Sequence, residues 1–458
     1  MKRKILIFTC LVMIIVGLQS CKKDFLEKKP NKALLIPTTL ADFQALLDYP
    51  DVMNMVTGLS NIASDDFYRI DANLLTLEAP ERNSYLWNVD IFEGSSTKDW
   101  NTPYQAIFYS NVILDGLKKL DRNAANIQEF DRIEGSALFF RALALYHLAQ
   151  LFVEQYDEKT ASSELGLPIR LTSDVNIISG RGTLQQTYDR ILQDFQEAAL
   201  LLPEKGSAPN RPNKSAVFGY LSRVFLVMGN YVKASQFATS YLQINRELID
   251  YNTLNASAAR PMPNANINSN VEVPLVISLN GYSYSSSTTT YVNPVLYNLY
   301  SDNDLRKTCF FANRGNGNFS FKGSYLASAT SFGGPATDEM YLTRAECFAR
   351  DNKLTEAMDD LNTLMKKRWK NTVAFPEFKA TELKEGVKII LAERRKGLLN
   401  RGIRWVDLRR LNKDPNYAVT LKRTLNSSNY ILEPNSKRYT FPIPNDEINS
   451  SGIEQNPR

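Results

Sequence analysis

The stretch Gly229-Asn230-Tyr231-x-x-Ala234-x-x-x-Ala238-x-x-x-Leu242 constrains the fold more than any other part of the chain. A glycine at a turn, an aromatic wedge behind it and small residues one helical turn apart are what two antiparallel helices need to pack with their backbones close. A second copy follows as Tyr341, Ala345 and Phe348, then Leu354, Ala357, Leu361 and Leu364, so a helix-pair unit recurs in the chain. Elsewhere helical pattern comes in blocks, and period-2 alternation is scarce. The fold class is mostly α.

Four further helices are predicted from pattern and end signals. Tyr104, Ile107, Phe108, Asn111, Val112 and Leu114 to Leu117 make one amphipathic helix opening near Pro103. Ile133 to Val153 makes its antiparallel partner. Thr183 to Leu202 ends at Pro203, and another helix runs from about Lys214 to Met228. The recurring spacing is that of tetratricopeptide repeats, but the copies are degenerate and separated by other sequence, so a uniform solenoid is not expected.

Two long stretches lack this pattern. Between Asn245 and Pro335 the composition shifts to Asn, Ser, Thr, Gly, Pro and Tyr, with the run Tyr282-Ser-Tyr284-Ser-Ser-Ser-Thr-Thr-Thr-Tyr291 at its centre; a similar stretch runs from Asn31 to Trp100. Segments this long without regular structure either stay disordered or build a binding surface on a scaffold. The abundance of tyrosine argues against disorder, which is poor in aromatics.

The N-terminus carries an address. Lys2, Arg3 and Lys4 precede the apolar run Ile5 to Leu18, and Leu18-Gln19-Ser20-Cys21 closes it. The run is too short to cross a bilayer, which takes about 20 helical residues, and fits a lipoprotein signal peptide over residues 1–20 with Cys21 as the lipidated first mature residue. Removing the three basic residues brings the formal charge from +5 to +2, so basicity argues for neither nucleic acid nor an acidic surface as partner. Cys10 leaves with the signal. Cys309 and Cys347 remain, and either a disulfide or two buried thiols is open.

The chain has one histidine, His147, on an apolar helix, which leaves a Ser-His-Asp triad, a histidine-bearing zinc site or a histidine phosphorelay without their imidazoles. Phosphate-cradling glycine motifs and C-x-x-C are absent, and Gly315-Asn-Gly317 signals only a turn. No cofactor or metal is expected. A glycosidase needs only two carboxylates, and Asp65-Asp66, just before Phe67 and Tyr68, is the pair to test; its plain reading is turn, cap or cation-site carboxylates. Binding without chemistry fits better, because aromatic faces stack on sugar rings while Asn, Asp and Arg satisfy hydroxyls. The candidate ligand contacts are Asp66, Tyr68, Arg69, Trp87, Trp100, Asn101, Tyr282, Tyr284 and Tyr291, with Trp100 equally suited to a core position at a helix start.

Four segments together resemble the SusD/RagB family of outer-membrane nutrient-binding lipoproteins. They are Cys21-Lys-Lys-Asp-Phe-Leu-Glu27; Glu134-Gly135 with Phe140-Arg141-Ala142 and Tyr146; Asp338-Glu339-Met340-Tyr341-Leu342-x-Arg344-Ala345-Glu346; and the C-terminal set. That set is Glu393-Arg394-Arg395, Gly402-x-Arg404-Trp405-x-Asp407-Leu408-Arg409-Arg410, and Phe441-Pro-Ile-Pro444-x-x-Glu447-Ile448 ending in Gln455-Asn456-Pro457. Gly397 and Arg401 depart from the family pattern, which has glutamates there. Glu393, Arg404, Asp407 and Arg409 are expected to form a partly buried charge network joining the last helices.

The resemblance implies about four tetratricopeptide-like helix pairs carrying a loop-rich ligand region. It divides the chain into the signal (1–20), an irregular N-terminal segment (21–100), helix pairs (101–243), a variable insert (244–337) and C-terminal helix pairs with a tail (338–458). It also implies a non-catalytic lipoprotein, anchored at the outer membrane through Cys21, that captures glycan oligosaccharides for a SusC-type TonB-dependent transporter. RagB-like peptide binding is the alternative, with a surface glycoside hydrolase behind it.

Overall fold

A computed structural model describes residues 37–458; the signal segment, Cys21 and the 21–36 stretch lie outside the described residues. The scaffold begins with α1 (Lys98–Leu117) and α2 (Ile127–Phe152). Then come α3 (Leu184–Leu201), α4 (Lys214–Val227) and α5 (Tyr231–Ile244). After the insert follow α6 (Thr337–Arg350), α7 (Leu354–Lys366), α8 (Leu383–Gly397) and α9 (Ile403–Leu411). Each of the first eight packs against its neighbour in sequence, giving four successive pairs.

Local chemistry sets the ends of these helices. Thr183 and Gln186 form a capping box at α3, while Asn213 caps α4 through Ala216 N. Between α4 and α5, Gly229 turns the chain at φ 76°, a conformation that costs other residues, and Asn230 caps α5 by accepting from Lys233 N. Ala234 and Ala238 are fully buried, and the small side chain at Ala234 lets Ser222 Oγ of α4 donate to its carbonyl at 2.9 Å. Helix α1 starts before Pro103, where the pattern had placed its opening. Thr97 accepts from Asp99 N at 3.2 Å, and Pro103 sits inside the helix.

The N-terminal stretch is less irregular than its composition suggests. Among the described residues it holds five short helices: Leu40–Leu47, Pro50–Met53, Leu59–Ala63, Asp71–Leu74 and Ala79–Leu86. Three of them are single turns of four or five residues and the other two barely exceed two turns, so periodicity could not register them.

The insert lies between α5 and α6, the two helices of one pair. Its ends meet where Asn245 Nδ2 donates to Thr337 Oγ1 at 2.9 Å. Two small strand pairs weave it to the N-terminal segment: Met55–Val56 runs parallel to Ser278–Leu279, and Phe67–Tyr68 antiparallel to Tyr291–Val292. A third pair, Phe311–Asn313 with Phe319–Phe321, is a hairpin inside the insert. Residues 40–458 cluster as a single unit.

Buried ion pairs join the parts. Arg223 of α4 meets Glu339 of α6 at 2.6 Å, Arg401 meets Asp338 at 2.8 Å, and Arg410 of α9 meets Glu346 at 2.6 Å. Of the expected network, Glu393, Asp407 and Arg409 are buried and Arg404 nearly so, but the four do not pair with one another. Glu393 binds Arg306 of the insert and Lys396, Arg404 binds Asp65, and Asp407 takes Arg394 and Arg410. Arg409 donates to the carbonyls of Gln150 and Val153 at the end of α2. Two of the pairs are local, Glu393 with Lys396 and Asp407 with Arg410, but Arg306, Asp65 and the α2 carbonyls are far away in the chain, where one-dimensional spacing carries no signal. Arg401, one of the two departures, supplies the Asp338 pair. Cys309 and Cys347 are separate buried thiols, and burial pushes the Cys309 thiol up to about 11. His147 is buried beside Tyr220, its pKa pushed well below the ordinary value by burial and then by Arg223.

Candidate functional site

The Phe67–Tyr68 and Tyr291–Val292 strands form the seam between the N-terminal segment and the insert, and two depressions open beside it. Asp99, in the first turn of α1, anchors the seam. Its buried carboxylate accepts from Gly58 N (2.8 Å), Leu59 N (2.7 Å), Asn280 Nδ2 (2.8 Å) and Tyr282 Oη (3.1 Å). Burial raises its pKa, and the four donors oppose the rise. Gly58 permits this approach, since a Cβ there would lie 2.3 Å from the Asn280 carbonyl oxygen.

Behind the seam, Asp65 and Asp66 are held by α8 and α9. Arg404 Nε is 2.7 Å from Asp65, and Arg395 reaches Asp65 at 3.0 Å and Asp66 at 2.9 Å. For Asp65, burial raises the pKa but the Arg404 and Arg395 charges outweigh it and hold the carboxyl well below the ordinary range. Asp66 is raised, with burial leading.

The first depression is a cleft of about 270 Å³ floored by Asn61, Phe67 and Asn400 and walled by the insert: residues 284–288 and Thr290, the hairpin residues Arg314, Ser320, Phe321 and Lys322, and the loop ending at Arg260. The second is a wider groove of about 630 Å³ bordered by Tyr68, Arg69, Trp87, Pro294 and the Leu421–Leu425 strand. Phe67 borders both.

Tyr68 and Tyr291 are the partly accessible aromatics of the seam, and Tyr68 borders the groove. Tyr68 is half-buried, packs against Tyr291 with ring centroids 5.7 Å apart, and donates from Oη to Asn318 Oδ1 at 2.6 Å. The other candidates are more committed. Arg69 donates to Thr290 Oγ1 (2.7 Å), the Ser283 carbonyl (2.8 Å) and the Asn73 carbonyl (3.2 Å), so it staples the insert to the N-terminal segment. Tyr282 is tied to Asp99. Trp87 and Tyr284 border the groove and the cleft, but are only 2% and 1% exposed. Trp87 Nε1 donates to the Ala63 carbonyl, and Tyr284 packs on Tyr85. Trp100 is a core residue between Tyr104 and Phe152, and Asn101 is exposed on α1; neither lines a depression. Asp66 spends its carboxylate on Arg395.

Sequence reasoning missed Arg260, Arg314, Lys322 and Asn318. The only signal nearby was the turn Gly315-Asn-Gly317, whose three residues take positive φ and aim the hairpin tip at Tyr68. Among the described residues no three His, Cys, Asp or Glu side chains are grouped to hold a metal, and no helix is long and apolar enough to cross a membrane.

Comparison with known proteins agrees with this architecture. Residues 24–226 match a SusD-like family described as starch-binding and associating with the outer membrane, and residues 338–458 match the SusD family itself. A SusD-like protein P2 of Formosa agariphila is 28% identical over 141 residues, which take in 30% of this chain and 25% of that protein. A SusD superfamily protein from Bacteroides thetaiotaomicron superposes with a TM-score of 0.73 at 22% identity, covering 92% of this chain and all of that one. A SusD-like carbohydrate-binding protein from Bacteroides vulgatus gives 0.69 at 19%, over 91% and 97%. The chain belongs to the SusD/RagB family.

Proposed function

We propose that this protein captures glycan oligosaccharides at the cell surface without chemistry and passes them to a SusC-type TonB-dependent transporter. The observation that carries the reading is the seam itself: a half-exposed Tyr68 backed by Tyr291, between a polar cleft and an open groove, on a helical scaffold pinned by buried ion pairs. A ring face to stack on and flanking hydroxyl and amide groups are what a sugar requires. The family's outer-membrane association and the carbohydrate-binding relative support the same reading. Lipidation at Cys21 would keep the site at the membrane while the domain stays outside the bilayer. A hydrolase built on Asp65 and Asp66 gains no support, since Arg395 and Arg404 occupy those carboxylates.

The test is titration of the mature chain with panels of oligosaccharides and peptides, alongside Tyr68→Ala. Saturable glycan binding weakened in the variant, without product release, supports the reading. Peptide binding in its place moves the protein to the RagB-like side. Crosslinking in native outer membranes that captures no TonB-dependent barrel would remove the transporter step.

A further inference from the structure

The cleft is lined by three cations and no carboxylate. Arg260, Arg314 and Lys322 face the same 270 Å³, and no Asp or Glu stands among its lining residues. Buried arginines elsewhere are spent on acids, as Arg223, Arg401 and Arg410 are, or on backbone carbonyls, as Arg409 and Arg423 are. Arg314 Nε donates to Ser320 Oγ at 2.7 Å, which fixes the plane of the guanidinium and leaves its Nη edge without a protein partner among the described residues. Lys322 Nζ donates to the carbonyls of Ala256 (2.6 Å) and Ala258 (3.2 Å), holding down the loop that ends at Arg260. Arg260 itself is exposed and makes no hydrogen bond or ion pair within the described residues.

Like charges gathered without a counter-ion repel. Burial lowers the pKa of Arg260, and the Arg314 charge lowers it further. Lys322 is also lowered, by burial and by Arg314 against an opposing contribution from Cys309. Around the cations stand neutral hydroxyls: Ser285, Ser286, Thr288 and Ser328. A guanidinium edge takes a planar carboxylate or a sulfate oxygen pair, and hydroxyls take the uncharged positions of a sugar.

We propose that the cleft selects anionic oligosaccharides, chains whose sugars carry carboxylate or sulfate-ester groups, with Arg260 and Arg314 as the residues that read the charge. The inference rests on the glycan-capture reading and narrows it. The neighbouring groove is of a different kind, since Asp65 and Asp71 line it together with Arg69, Lys422 and Arg423.

The experiment is calorimetric titration of the mature chain with three probes of equal length: an oligogalacturonide, a sulfated galacto-oligosaccharide and an uncharged galacto-oligosaccharide. Arg260→Gln, Arg260→Lys and Arg314→Gln are run alongside, with thermal melts. One or both charged probes are expected to bind about tenfold or more tightly than the uncharged one, the two charged arms separating carboxylate from sulfate recognition. Raising salt from about 0.05 M to about 0.5 M should weaken only the charged probes. Arg260→Gln, on an exposed and unpartnered side chain, should weaken them roughly tenfold with an unchanged melt, and Arg260→Lys should recover part of the loss. Equal binding of charged and uncharged probes, untouched by the variants, overturns the inference and leaves glycan capture standing. Binding of none of the three saccharides overturns both.

Discussion

The buried framework, which includes Arg306 of the insert against Asp304 and Glu393, and the cleft wall use cationic side chains in opposite ways. In the scaffold, Arg223, Arg401 and Arg410 are buried against Glu339, Asp338 and Glu346, and Arg404 is nearly so against Asp65. In the insert's cleft, Arg260, Arg314 and Lys322 have no acid opposite them. A buried pair specifies which surfaces meet, because any other arrangement strands a charge away from water. Lys322 and the Nε of Arg314 still hold the cleft wall together, but Arg260 and the Nη edge of Arg314 are left free to recognise something outside the fold. Charge therefore sorts the molecule into a part that defines shape and a part that is open to a ligand.

That division can be broken most sharply at Arg223. Arg223→Ala strands Glu339 and frees the Gly333 and Gly334 carbonyls that Arg223 holds at 2.9 and 2.6 Å, so about 3–5 kcal/mol of stability should be lost in urea unfolding. A loss below about 1 kcal/mol would mean the scaffold pairs are as dispensable as surface ones. Trp87→Ala, at a buried ring near the groove, should cost about 3 kcal/mol in the same assay; any fall in ligand affinity should follow that loss of fold.

Glu346 sharpens the comparison through pH. Burial raises its pKa, but Arg410, Arg350 and Arg394 outweigh this and hold it at about 2 against an ordinary 4.5. A depressed carboxyl contributes stability that is present above pH 4.5 and lost as the pH falls through about 2. The gap between the chain and its Glu346→Gln variant, about 3 kcal/mol at neutral pH, should close across that window when unfolding is followed at stepped pH. Smaller still, Tyr68→Ala should weaken glycan binding by about 1–2 kcal/mol with little change in melting. Arg260→Gln should change stability by less than about 0.5 kcal/mol; a larger destabilisation would place it with the scaffold arginines.

Much of the scaffold was legible because helices announce themselves locally. Thr183 and Pro203 bracket α3, whose observed span is Leu184–Leu201, and α4 begins at Lys214 as expected, capped by Asn213. The site was legible only in outline. Tyr68 is one of nine candidates the sequence offers, with nothing there to set it apart, and the structure leaves it partly accessible. Trp87, Trp100 and Tyr284 look alike in the sequence, yet tertiary packing buries all three. The cations of the cleft gave no signal, because Arg260, Arg314 and Lys322 are brought together by a hairpin and a loop dock with no periodic pattern.

The meeting of Asn245 with Thr337 has a consequence for descent. An insertion whose two ends are clasped at a helix pair presents the same pair of anchor points whatever lies between them, and the entropy of closing a loop grows only slowly with its length. The length of the segment can thus change without shifting the register of any repeat. Exchange of the segment would have to carry along the partners it meets in the body, Tyr68 and Arg69 of the seam and Glu393 of α8, so the clasp fixes where the segment leaves and rejoins the repeats while the seam fixes what can fill it.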